Sequence, residues 1–222
     1  MKTTDYNFLR NSFLATLGVI AIVLFFAVFT YLDFRPGIVS AQSSASDTVV
    51  VTLNVTSGIT ISNSPDVSMS RTLGVAAHTA VASSTWTIVT NNVTGYQLTL
   101  KSTTTPAMKN ATSSVTDYGT SSPAVWSVAS GDARFGFSAY GADVSTATWG
   151  ATTTCQTTSD TPNTLLKYLG FKTTDSQVVA QKATTTPFAG TDTTVCYAVQ
   201  QNGYFIPSGV YTATIIATAV TI

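Results

Sequence analysis

Residues 13–32 form a run of 20 residues with no charged side chain, rich in Leu, Ile, Val, Phe and Ala. A helix of that length spans the hydrocarbon core of a bilayer, about 30 Å thick. Lys2 and Arg10 precede the run and Asp33, Arg35 and Pro36 follow it. A cationic N-terminal end tends to stay in the cytoplasm, so whatever follows is sent outward. Val39-Ser40-Ala41 puts small residues at the two positions a signal peptidase reads, with Gln42 next. Two readings follow: a cut between Ala41 and Gln42, or an uncleaved signal anchor that keeps the chain on the membrane. Residues 1–41 are thus signal peptide or anchor, 42–47 a short polar linker, and 48–222 a single domain.

The domain is chemically unusual. Past Ala41 the chain contains no Glu, Thr makes up roughly a fifth of it, and seven Lys/Arg stand against eight Asp, a net charge of about −1. Nucleic-acid binding, which draws on a strong basic excess, is excluded as an expectation. The exterior should be hydroxylated rather than ionic, as suits an extracellular or cell-surface protein. Low charge alone would also fit disorder, but short alternating runs of Val, Ile, Leu, Phe, Tyr and Trp supply a core.

Those runs predict strands. Val49, Val51, Leu53 and Val55 alternate with Val50, Thr52 and Asn54, predicting a first strand from Thr48. Trp86 and Ile88, the turn Asn91-Asn92-Val93-Thr94-Gly95, and Tyr96, Leu98 and Leu100 predict a hairpin. Further strands are expected at 124–128, 134–140, 177–181, 193–200 and 210–222, and a helical turn or two at 163–169. Two long polar stretches, 102–123 and 141–162, are where specificity should lie. The fold class is all-β: an antiparallel Ig-like or jelly-roll-type sandwich preceded by an N-terminal hydrophobic helix.

The catalytic inventory is thin. The one histidine, His78, has no nucleophile signature near it, and the aspartates are dispersed singly. No catalytic, cofactor-binding or metal residue is assigned. Ca²⁺ is the one cofactor for which a place can be drawn, with Asp117, Asp132 and Asp143 meeting at one end of the sandwich. Cys155 and Cys196 lack CxxC spacing and predict a disulfide in an exported protein. Trp126 and Trp149 are the candidate ligand contacts, Trp149 because it adjoins a long loop and Trp126 as an aromatic platform for sugar rings.

The segment Trp86-Thr87-Ile88-Val89-Thr90-Asn91-Asn92-Val93-Thr94-Gly95-Tyr96-Gln97-Leu98 resembles segments of secreted surface proteins of Gram-positive-type bacteria, including WxL-like wall-binding domains. Pro207-Ser208-Gly209-Val210-Tyr211-Thr212-Ala213-Thr214-Ile215 is similar to the closing strand of that family. Both Trp-x-Leu motifs are altered: Ile88 stands in place of Leu in the first, and Ala217 and Ala219 occupy the second. The resemblance implies a sandwich attached non-covalently at the envelope, and no enzyme. The expected function is a non-enzymatic cell-surface protein that binds cell-wall polymer, another surface protein or a neighbouring cell. The alternative is a self-assembling layer or filament subunit, a homo-oligomer; a secreted hydrolase built on His78 or an Asp pair is the third reading.

Overall fold

A computed structural model of the chain describes residues 3–33, 46–62, 65–119, 121–158, 160–174 and 176–222. The junction at Ala41 and Gln42, and most of the 42–47 linker, lie outside them. The chain divides into two compact units, Met1–Leu53 and Asn54–Ile222.

The first unit is dominated by α1 (Thr3–Asp33), 31 residues long. Over Ser12–Tyr31 its mean hydropathy is 2.7 and none of it is buried in protein. A helix that is apolar on every side, rather than along one stripe, suits surroundings that are apolar on every side. Residues 46–53 follow without regular structure.

The second unit holds β1 (Ile59–Ile61), β2 (Thr79–Thr90), β3 (Tyr96–Ser102), β4 (Met108–Lys109), β5 (Ser114–Asp117), β6 (Ala124–Val125) and β7 (Asp132–Gly141). The one-turn helix α2 (Thr146–Trp149) comes next. Then follow β8 (Gln156–Thr158), β9 (Thr161–Pro162), β10 (Lys167–Tyr168), β11 (Gln177–Lys182), β12 (Thr191–Asn202) and β13 (Ile215–Thr221). A six-stranded sheet has the order β1-β2-β12-β7-β5-β4, and a three-stranded sheet the order β11-β3-β13. The pairs are antiparallel except β5 with β7. The fold is all-β, with an N-terminal apolar helix ahead of it.

Alternation explains how the layers meet. Tyr96, Leu98 and Leu100 of β3 are fully buried, while Gln97, Thr99 and Lys101 between them are not. They face Ile88, Phe135, Phe137, Val195 and Val199 of the larger sheet in one apolar cluster. β12 is the central strand and is buried on both faces over Val195–Val199. Val195, Tyr197 and Val199 point into the main core, whereas Cys196 and Ala198 join a second cluster with Val81, Tyr118, Cys155, Leu166 and Tyr168. Successive side chains of a strand point to opposite faces, so this run demands cover on both sides.

Three sequence expectations are corrected. The predicted first strand does not form: 46–58 carries no strand, and β1 starts only at Ile59. Alternation records what a segment can pair as, and it does not supply the partner. The predicted hairpin is a crossing between sheets, because β2 pairs with β1 and β12 while β3 pairs with β11 and β13. Gly95 makes the crossing possible at φ 85°; a Cβ there would collide with the Lys182 carbonyl oxygen. Residues 163–169 form a turn leading into β10 rather than a helix, since Leu166 bridges Gly150 and Leu169 bridges Phe137.

Candidate functional site

The disulfide is present: Cys155 and Cys196, 41 positions apart in sequence, are joined with their Cα atoms 5.2 Å apart. It fastens the long excursion after β7 to the central strand. The Tyr168 hydroxyl donates to the Cys155 carbonyl at 3.3 Å, so the covering segment is held on both sides of the bridge.

The two tryptophans expected to meet a ligand are part of this packing. Trp149 is only 2% exposed. Its ring lies 5.3 Å from Phe137, which in turn stacks on Phe171 at 4.3 Å. The expected exposure of Trp149 is therefore overturned: Ser145 caps α2 by accepting from the Thr148 amide, and the short helix turns the indole inward. Trp126 is half-buried, stacked on Tyr118 at 4.5 Å and edge-on to Tyr168 at 5.0 Å. Its indole N–H donates to Gln200 Oε1 at 2.7 Å.

The three aspartates expected to converge have separate partners. Asp143 accepts from the Tyr96 hydroxyl and from Lys182 Nζ, both at 2.9 Å. Asp132 pairs with Arg134 at 3.1 Å. Both Asp117 carboxylate oxygens accept from the Ala107 amide at 3.2 Å. Among the described residues no group of three or more His, Cys, Asp or Glu side chains is placed to hold a metal ion. The Ca²⁺ trio is thus not assembled. His78 is exposed, with its ring 6.4 Å from Phe205.

Burial perturbs several groups. The Asp117 carboxyl is raised from 3.8 to about 6 by desolvation, with the Ala107 amide pulling the other way. Burial pushes the Tyr197 hydroxyl up to about 12, against the hydrogen bond with Ser84. Burial also raises the Tyr96 and Tyr168 hydroxyls, and for Tyr96 the carboxylate of Asp143 adds to it. These tyrosines stay neutral at physiological pH.

Two surface features remain open to partners. One is a shallow cleft of about 530 Å³ lined by Thr105, Pro106, Thr116, Asp117, Arg134 and Thr173, with their neighbours. It offers threonine hydroxyls, the Asp117 carboxyl and the Arg134 guanidinium. The polar stretch 102–123 supplies Thr105, Pro106, Thr116 and Asp117, while Arg134 and Thr173 come from separate segments that no sequence pattern points to. The other is the side of the sandwich where β1 and β13 are the outer strands of their sheets. There the inward-facing Tyr211, Ala213, Ile215, Ala217 and Ala219 are only half-buried, as are Ile59 and Trp86 beside the core. Outward-facing Ile216 and Val220 are 39% and 45% exposed. β1 is three residues long against seven in β13, so it covers only part of this seam.

Comparison with protein-family models, with curated proteins and with solved structures finds no match to this chain.

Proposed function

We propose that this protein is exported and displayed outside the membrane, where it works without catalysis by binding another envelope protein. The observation that carries this reading is the succession of a lipid-suited helix and a disulfide-closed sandwich whose open side is uncharged and apolar. Disulfides persist in oxidising compartments. Exposed apolar strands favour protein partners over small solutes. The test is intact mass, with and without reductant, on protein recovered separately from membrane, wall and medium. An oxidised species accessible to external protease supports display, whether it starts at Met1 or at Gln42. A reduced species shielded from protease refutes it.

A second reading, retention on a wall polymer, draws on the threonine-lined cleft beside Arg134 and on the resemblance to wall-binding domains. Co-sedimentation with isolated walls that is lost in Arg134→Ala, with folding intact, supports it. Equal sedimentation of both proteins refutes the cleft as the binding site.

A further inference from the structure

Resting on the reading of a displayed surface protein, we propose that the partner is a second copy of this chain, and that residues 48–55 of one copy pair with the β13 edge of the next.

The donor segment is visible in the sequence and stranded in the structure. Thr48-Val49-Val50-Val51-Thr52-Leu53-Asn54-Val55 has the alternation and the β-branched content of a strand. Yet Val49, Val50, Val51, Leu53 and Val55 are 82%, 87%, 88%, 84% and 70% exposed. A largely apolar segment with strand propensity, left unpaired in water, is a feature that natural sheets avoid. Its downstream root is held: the Asn91 side chain accepts from the Gly58 amide at 2.7 Å and donates to the Thr56 carbonyl at 2.8 Å. Past that clamp the chain becomes β1, on the same side as the seam.

The acceptor is complementary in four respects. β13 is an outer strand of seven residues, close in length to the eight-residue arm. Neither the arm nor residues 210–222 carries a charge or a proline, the usual devices that blunt a sheet edge. The three-stranded sheet is the narrower layer, so one added strand extends cover over a core that the six-stranded sheet already spans. The inward-facing residues along β13 are half-buried, which leaves apolar surface for Val49, Val51, Leu53 and Val55 to complete. In that register Val50, Thr52 and Asn54 face outward beside Ile216, Thr218 and Val220. Main-chain hydrogen bonds supply pairing and the alternate side chains supply the fit. The arm and the β13 edge are different surfaces, so the contact is head-to-tail and builds a filament or a ring according to the rotation between neighbours.

The test uses the full chain in mild detergent. One population carries Thr52→Cys and one tag, another carries Thr218→Cys and a second tag, and the two are mixed with a short bismaleimide. Cys155 and Cys196 are bonded to each other and stay silent. The expected result is a species bearing both tags, reduced at least tenfold when the arm carries Val51→Asp and Leu53→Asp. Both substitutions lie at exposed positions, so the sandwich folds without them, and intact mass confirms its disulfide. Absence of the mixed species overturns the proposal. So does a mixed species whose yield is untouched by the two Asp substitutions, since α1 then brings the copies together. A cross-link confined to single chains of the Thr52→Cys, Thr218→Cys double variant also overturns it, because the arm then closes its own seam. Protein that is oxidised and displayed but fails these criteria removes only this inference; reduced, shielded protein removes the functional reading beneath it.

Discussion

The two sides of the sandwich are finished differently. On the β7 side the chain makes a long excursion, folds it back through α2 and β8 to β10, and ties it to β12 with a disulfide. Phe135, Phe137, Trp149 and Phe171 are nearly inaccessible there. On the β1 and β13 side the same apolar material stops short, and inward-facing side chains stay half in water. The first arrangement is what a chain does to secure its own core. The second leaves an edge that gains from something added to it.

The contrast is broken if tryptophans on the two sides respond alike. Trp149→Ala removes a 2%-exposed ring packed at a tilt against Phe137 and should destabilise by about 3–5 kcal/mol. Trp86→Ala, at a half-buried position, should cost about 1–2 kcal/mol, because less area leaves contact. Urea unfolding of both variants measures the difference, and equal losses mean that the seam is as well packed as the closed side.

Removing the disulfide with Cys155→Ala and Cys196→Ala should cost about 2–4 kcal/mol, the loop-closure estimate for this separation less any slack in the folded state. The loss should appear as early exposure of the excursion after β7, read as faster amide exchange at 155–171, while amides of β3 keep their protection. Uniform loss across both sheets would mean that the bridge serves the whole sandwich rather than its closed side.

Asp117 sharpens the comparison by pH. It sits at the end of β5 on the closed side, 8% exposed. Its carboxyl holds a proton up to about pH 6 when folded, against 3.8 ordinarily. Between these values the folded state binds more protons, so stability falls as pH rises. The contribution is fully present below about pH 4 and gone above about pH 6, a change on the order of 3 kcal/mol. Thermal unfolding across that window should show the slope, and Asp117→Asn should flatten it.

Much of the closed framework was legible in the chain. β7 and β12 announce themselves through aromatic and β-branched runs, and the only two cysteines pair. The failures share a physical cause: period-two alternation shows that a segment can pair, and it is silent about the partner. The same pattern that marked β3 correctly also marked 49–55, where no neighbouring strand exists in the described chain. The turn residues Asn91–Gly95 fit a hairpin and a crossing between sheets equally well, so the sequence does not tell the two apart. Adjoining a long loop, Trp149 is expected to be exposed, but α2 is capped by Ser145 and turns the ring into the core. The cleft at Asp117 and Arg134 is legible only in part: the polar stretch 102–123 marks Thr105, Thr116 and Asp117, but nothing in the sequence shows that the parallel pairing of β5 with β7 sets Arg134 beside them.

The smallest expected effect is the most discriminating for the open side. Leu53→Asp and Val220→Lys place charges on residues 84% and 45% exposed. In an isolated copy each should change unfolding free energy by no more than about 0.5 kcal/mol, because no buried contact is lost. Val199→Asp, at a 3%-exposed site of β12, places a carboxylate in the core and should unfold the domain outright. If Leu53→Asp instead destabilised the monomer at high dilution, its side chain would be buried in the solitary chain and the open side would be closed from within. If stability changes only as concentration rises, the burial is shared between copies. Unfolding midpoints measured over a hundredfold range of protein concentration separate the two.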